Sequence, residues 1–443
     1  MPSRRQFLAA LGTAGSVGLA GCTVFDREVA GVYPGAGVDA ANTSFLPTAS
    51  GPSTPRVRWQ THVGAWPGAT PVVAEDTVFL PYPADESETP SRDTYEAHLG
   101  AWDATTGTKQ WTATTGTVEF DGAFTVARDS LVHHDGALYL ADATGFHSFD
   151  LEGTRRWHTP IEGRHTNPAI DPAHPAIHGD TAYYGTAGIV DAAREGVFAV
   201  SIEDGTIHWN QPVPFEWTQH GAGTRMVFAP AYGNDTVYAG VLGNGVLALD
   251  AAVGQERWRT PLPVNGPPTV LPDGDVLVHL DWRTDADEPY SGVARLDART
   301  GAVRWRQSEP RAARAGVQLA IDGDRVYYCA GHESVRARWV DDGRLDWETD
   351  PLPWVTPGAP VVTPDTVWTG VGVQQSPDFD GVGILAVDTE TGDSSVFTPF
   401  REDFTITSSL ALVDDALYLA ADGATLWAFD DCRLPLGDDC VVY

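Results

Sequence analysis

Residues 101–111 read Ala101-Trp102-Asp103-Ala104-Thr105-Thr106-Gly107-Thr108-Lys109-Gln110-Trp111, and this stretch decides the fold. An apolar strand ends on Asp, a short polar turn holding Gly follows, and the returning strand starts towards Trp. This is hairpin chemistry: Asp bonds its own backbone two residues on, and Gly supplies a positive φ. Working outward, the pattern returns as Phe149-Asp150 to Trp157, Val200-Ser201 to Trp209, Ala248-Leu249-Asp250 to Trp258 and Leu296-Asp297 to Trp305. A degenerate copy runs Val340-Asp341-Asp342-Gly343 to Trp347, and the copy at Ala386-Val387-Asp388-Thr389-Glu390-Thr391-Gly392 is followed by Phe397 where a Trp is expected. The last copy, Trp427-Ala428-Phe429-Asp430, has no Trp strand after it, whereas Trp59 sits on a Trp strand with nothing before it.

Those two halves complete each other. The markers at 59, 111, 157, 209, 258, 305, 347 and 397 fall 42 to 52 residues apart, the length of a four-stranded propeller blade. The sequence therefore predicts an all-β, eight-bladed propeller over residues 56–431, with 432–443 as a C-terminal tail. The strand around Trp59 would supply the outer strand of the last blade, closing the ring and removing an exposed edge. Trp59, Trp111, Trp157, Trp209, Trp258, Trp305 and Trp347 read as structural wedges between blades, since each indole buries about 150–250 Å². Gly 46, Pro 32, Trp 15 and only two Met agree with a chain of short strands and many turns.

The AxDxxTGxxxW pattern resembles the pyrroloquinoline-quinone repeat of quinoprotein alcohol dehydrogenases and of the BamB-type outer-membrane assembly lipoproteins, over about residues 56–430. That resemblance implies the propeller fold more strongly than any chemistry. Dehydrogenases of that family use a vicinal Cys-Cys disulfide, a Trp beneath the quinone, and Glu, Asn and Asp around Ca²⁺. The cysteines here are Cys22, Cys329, Cys432 and Cys440, none adjacent to another and none in a CxxC pair. No cofactor is therefore expected; pyrroloquinoline quinone and Ca²⁺ are disfavoured.

Ahead of the repeat, residues 3–8 read Ser-Arg-Arg-Gln-Phe-Leu, followed by an uncharged apolar stretch Ala9 to Ala20 and then Gly21-Cys22. This stretch is too short for a bilayer-spanning helix and reads as an export signal. Arg4 and Arg5 resemble the pair of a twin-arginine signal, and Leu19-Ala20-Gly21-Cys22 resembles a lipobox. By that resemblance residues 1–21 are removed and Cys22 becomes the lipid anchor. Residues 22–55, rich in Gly, Ala, Pro, Ser and Thr, then read as the lipidated Cys and a flexible tether. The expected location is the extracellular face of the cytoplasmic membrane, as a monomer.

The chain carries 28 basic and 60 acidic residues, a net charge of −32, and Lys109 is its only lysine. Loss of Arg4 and Arg5 with the signal takes the charge to −34, since no carboxylate leaves with them. Such a surface is a poor match for nucleic acid. Its self-repulsion is relieved in molar salt, where the Debye length is about 3 Å. An acidic surface almost without lysine resembles proteins of extremely halophilic archaea.

Candidate site residues follow from loop lengths. The central loops are long at Tyr82 to Tyr95, Gly185 to Gly196, Trp282 to Ser291 and Gly372 to Gly381. They share one face with the links between blades, and insertions gathered on one face mark a binding surface. The links carry Trp66, Arg164, His165, Trp217, His220, Arg225, Arg311, Arg314, Trp354 and Arg401 as candidates for binding a ligand or partner. Guanidinium beside indole suits a carboxylated or aromatic ligand, or an acidic partner loop. His165, Asp171, His174 and His178 cluster in sequence, but Pro168, Pro172 and Pro175 keep them off a helix, and no metal site is assigned. The acidic runs Asp85-Glu86-Ser87-Glu88 and Asp285-Ala286-Asp287-Glu288 lack calcium-loop spacing. Cys432 and Cys440 are expected to pair as a disulfide in an exported compartment. The expectation is a membrane-anchored, non-catalytic scaffold for a protein partner or small polar ligand. The alternative is a quinone-dependent oxidoreductase.

Overall fold

The computed structural model describes residues 31–64, 69–84, 94–119, 130–142, 144–161, 164–165, 174–186, 189–190, 196–213, 227–282, 290–309, 318–330, 334–352, 360–372, 382–397, 406, 408–421, 424–431, 435–436 and 439–440. Every regular element among them is a strand. The chain forms eight four-stranded antiparallel sheets, each a blade in sequence order. Blade 1 is Val72–Ala74, Thr77–Pro83, Thr94–Asp103 and Lys109–Glu119. Blade 8 is Ala411–Val413, Ala416–Ala421 and Thr425–Asp431, completed by Pro55–His62 from the other end of the chain. Trp59 stands opposite Ala428 as Trp111 stands opposite Ala101, so the closing strand occupies the expected place. Second strands such as Thr236–Val241 and Ala416–Ala421 are buried at every position, because each blade is covered by neighbours on both faces.

The repeat motif does two jobs. Within blade 1, Asp103 Oδ1 accepts from the backbone N–H of Thr105 and Thr106 at 3.0 and 2.7 Å, closing the turn between third and fourth strands. Gly107 sits at φ +70°, and a Cβ there would lie 2.7 Å from the ring of Trp59. The indole of one blade thus stacks on the turn of the next and donates to a carbonyl in it. Trp59 Nε1 donates to Ala104 O at 2.9 Å, Trp157 to Ile202 O at 3.0 Å, and Trp258 to Ala298 O at 2.8 Å. Trp111, Trp209, Trp305 and Trp347 make the same bond, each at 2.9 Å. All seven expected wedges dock this way. Behind six of the indoles a ring of the same blade's second strand packs at 5.8–6.2 Å, such as Tyr183 behind Trp209.

Two details differ from the sequence reading. In blade 6 the turn bonds run from Trp339, not Asp341: Gly343 N donates to Trp339 O as Gly107 N donates to Asp103 O. Trp339 cannot cap the turn as Asp does; its indole instead lies under the guanidinium of Arg325 at 4.7 Å and donates to Asp346 at 3.0 Å. In blade 7, Phe397 does not take the Trp place, because Ser395 is the residue opposite Ala386. The reason lies in the ring closure. The third strand of blade 8 runs to the tail, so no turn joins it to its outer strand and none can receive an indole. The Asp431 carboxylate instead accepts from Thr54 N at 2.7 Å and Ser53 Oγ at 3.0 Å, bridging the two ends of the chain.

Residues 31–51 are the larger departure. Expected as part of a flexible tether, they run around the inner edge of the ring. Tyr33 exchanges two backbone bonds with Val73 of blade 1 at 2.9 Å, and His133 N of blade 2 donates to Pro34 O at 2.8 Å. Tyr232, Val270, Ile321 and Val362, on the inner strands of blades 4 to 7, donate to Ala40, Ala41, Thr43 and Ser44. Leu46 N returns a bond to Val362 O, and Ser50 and Gly51 donate to Asp414 O of blade 8. These inner strands would otherwise present open edges to the axis. At a net ~0.5–1.5 kcal/mol per bond the segment contributes roughly 5–15 kcal/mol gross, so it is a fixed part of the fold.

Candidate functional site

The propeller has two faces. Turns between first and second strands, and between third and fourth, lie on the base. The central loops and inter-blade links form the mouth. Residues 31–51 enter from the base, and Asn42 marks how deep they reach. Its side chain is fully buried; Nδ2 donates to Pro230 O at 3.0 Å and Pro268 O at 3.1 Å, and Oδ1 lies 2.9 Å from His174 Nε2. Blade 3 thus joins the segment through His174, and every blade has a contact with it. Beside Asn42, Gln318 Nε2 donates to Ser44 Oγ at 3.1 Å. On its base side the axis therefore holds a buried cluster of the chain's own polar groups, in which Asn42 takes the left-handed backbone at φ +59°.

At the mouth, Arg164–His165 pairs antiparallel with Ile189–Val190, joining the link before blade 3 to that blade's long central loop. Two candidate segments thus meet, though the side chains of Arg164 and His165 lie outside the described residues. Trp66, Trp217, His220, Arg225, Arg311, Arg314, Trp354 and Arg401 also lie outside them, as do Cys22, Cys432, Asp171, both acidic runs and Arg4 and Arg5. Cys440 pairs through its backbone with Pro435. Of the sequence-clustered histidines, His174 turns to Asn42 while His178 stacks on Tyr232 at 4.0 Å, so these two serve packing. Among the described residues no group of three or more His, Cys, Asp or Glu side chains is placed to hold a metal ion.

One buried polar cluster escaped the sequence reading. In blade 2, Asp142 Oδ1 lies 3.0 Å from His147 Nε2 and accepts from Thr144 Oγ1 at 2.7 Å, and the His147 ring stacks on His158 at 4.3 Å. Burial alone would raise the Asp142 carboxyl. The His147 imidazole beside it, with hydrogen bonds from His147, Thr115 and Thr144, holds it well below the usual carboxylate range. His158 is lowered, first by burial and then by His147. His147 is fully buried, so the cluster ties the central hairpin of blade 2 rather than facing a ligand. Burial also pushes the Cys329 thiol up to about 12, leaving it inert at neutral pH.

The family described as outer membrane protein assembly factor BamB matches residues 48–278 and 194–432. Among solved structures, BamB from Moraxella catarrhalis is 14% identical, spans 85% of this chain and 100% of its own, and superposes with a TM-score of 0.51. The quinohemoprotein alcohol dehydrogenase of Comamonas testosteroni is 15% identical, spans 98% of this chain and 85% of its own, and superposes with a TM-score of 0.58. At such identities both likenesses are of fold alone. The serine/threonine-protein kinase AfsK of Streptomyces griseus is 29% identical over 162 residues, 36% of this chain. The chain spans 18% of that kinase's length.

Proposed function

The chain belongs to the family of the outer membrane protein assembly factor BamB, and from that premise we propose that it is an exported, lipid-anchored scaffold that binds a partner at its mouth without catalysing a reaction. The observation that carries this reading is the buried polar cluster on the base side of the axis. With Asn42 and its neighbours occupying the base side of the axis, the face left for many blades to share is the mouth, to which the links carrying Arg225, Arg311, Arg314, Arg401, Trp66, Trp217 and Trp354 in the sequence belong. Planar guanidinium and indole suit a carboxylate-bearing partner, because bidentate bonds and stacking stay short-range in strong salt.

The quinone of the dehydrogenase relatives is a poor fit to these residues. Its family-typical adjacent cysteines are absent, and Cys329 stands alone in the buried strand Arg325–Ala330. No step is therefore routed through it. Cys22 is the proposed anchor, Arg4 and Arg5 the export pair, Cys432 and Cys440 a disulfide in the tail, and the acidic surface an adaptation to salt.

The test has two arms. Arg311→Ala with Arg314→Ala should remove at least tenfold of the affinity for a crosslinked, co-purifying partner while leaving the melting temperature within a degree or two. A large fall in melting temperature would show these arginines to be structural counter-ions. Stoichiometric uptake of added quinone with Ca²⁺, seen by its absorbance together with dye reduction, would favour the oxidoreductase instead.

A further inference from the structure

We infer that the path of residues 31–51 fixes the orientation of the propeller on the membrane, holding the mouth away from the lipid surface. The inference rests on the lipid anchor at Cys22 proposed above. Gly31 lies beside Val413 and Asp414, where the inner strand of blade 8 turns at the base, so the chain leaves the ring on its base side. From Cys22 to Gly31 is nine residues, which span at most about 30 Å even fully extended.

That reach decides between orientations. For the mouth to face the lipid, the tether would have to cross the base from inner to outer strand and then climb the flank. Four strands spaced about 4.8 Å apart, with side chains at the rim, make the first leg roughly 20 Å. Strands of six or seven residues, such as Ala416–Ala421 and Val303–Glu309, rise about 20 Å from base to mouth. The two legs together need about 40 Å, more than the tether can supply. The mouth-down arrangement is out of reach.

Charge acts in the same direction without deciding it. The base turns carry the hairpin carboxylates Asp103, Asp150, Asp250, Asp297 and Asp388, which accept backbone N–H groups within their own turns. They keep the base from binding anionic headgroups tightly, so the tether rather than adhesion sets the geometry. The mouth is thereby offered to soluble or exported partners arriving from the compartment, not to lipid.

The experiment uses the lipidated full chain in vesicles containing a headgroup-bound quencher. A fluorophore is placed on the base through Glu390→Cys, or at the mouth through Asp350→Cys, both exposed positions, with Cys432 and Cys440 replaced by Ser. The base label should be quenched at least twofold more than the mouth label. Inserting about fifteen Gly/Ser residues before Gly31 should shrink that difference, since the mouth then comes within reach. Equal quenching in the unextended chain, or stronger quenching at the mouth, overturns the inference. Cys22→Ser separates the two readings: if that variant stays on the vesicles, the anchor has failed rather than the orientation.

Discussion

Asp142 is the residue whose environment has the clearest solution consequence. Its folded carboxyl lies below the ordinary value, held there against burial by His147. A depressed acid stabilises the fold at pH above its unfolded value, about 3.9, and loses that contribution as pH falls towards the lower folded one. The difference in unfolding free energy between the native protein and Asp142→Asn should therefore narrow as pH falls from about 5 to below about 4. Denaturant titrations across that range measure it, and comparison with the variant cancels the carboxylates both proteins share. A gap that widens on acidification would reverse the assignment. Neither Asp142 nor Asn42 was legible beforehand. Nothing local distinguishes Asp142-Ala143-Thr144-Gly145 from an ordinary turn, because its partners His147 and His158 acquire meaning only when two strands are set in register. Asn42 lies in a run whose Gly, Ala and Ser content reads as a linker. Tyr33, Phe45 and Leu46 were the available hint, since a solvated tether has little use for them.

The docked indole is the unit from which the ring is built, and its energetics can be separated. A Cβ on Gly301 would lie 2.5 Å from the Trp258 ring, and the backbone there sits at φ +70°. Trp258→Ala should cost about 3 kcal/mol and Gly301→Ala about 2 kcal/mol or more, through clash as well as strain. Because the clash with the ring is relieved once the indole is gone, leaving the contact with Thr260 Oγ1 at 2.5 Å, the double variant should be less destabilised than the two changes added together. Strict additivity in a denaturant-unfolding cycle would mean that the glycine serves only its own backbone. This element was readable from sequence because its chemistry is local: Asp caps, Gly turns, Trp stacks. The blade 6 turn and the blade 7 wedge position depart from the repeat for the converse reason. In blade 6 the first carboxylate along the sequence is Asp341, while the register puts Trp339 in that place. In blade 7 Phe397 is the aromatic the sequence offers, but the ring closure leaves no turn in blade 8 for it to dock on.

For the whole molecule, part of the negative charge is held fast in the base turns. Asp250, Asp297 and Asp388 are lowered by hydrogen bonds they accept: from Arg257 first for Asp250, from Thr300 for Asp297, and from the Thr391 backbone for Asp388. Groups depressed in this way stay ionised throughout the range above the ordinary carboxylate value, so mild acidification cannot relieve the repulsion between these turns. Salt can. At 1 M the Debye length is about 3 Å and neighbouring turns are screened from one another; at 0.1 M it is about 10 Å and they are not. With a net charge of −32 on a ring whose blades each meet two others, the repulsion acts across every junction the indoles hold. The melting temperature should fall steeply as NaCl drops from about 2 M to 0.1 M. The same loss should follow when an uncharged osmolyte replaces the salt at equal osmolality, because osmolytes strengthen burial without screening charge. A melting temperature flat in salt, or rescued fully by the osmolyte, would show that the acidic surface carries no electrostatic cost to the ring.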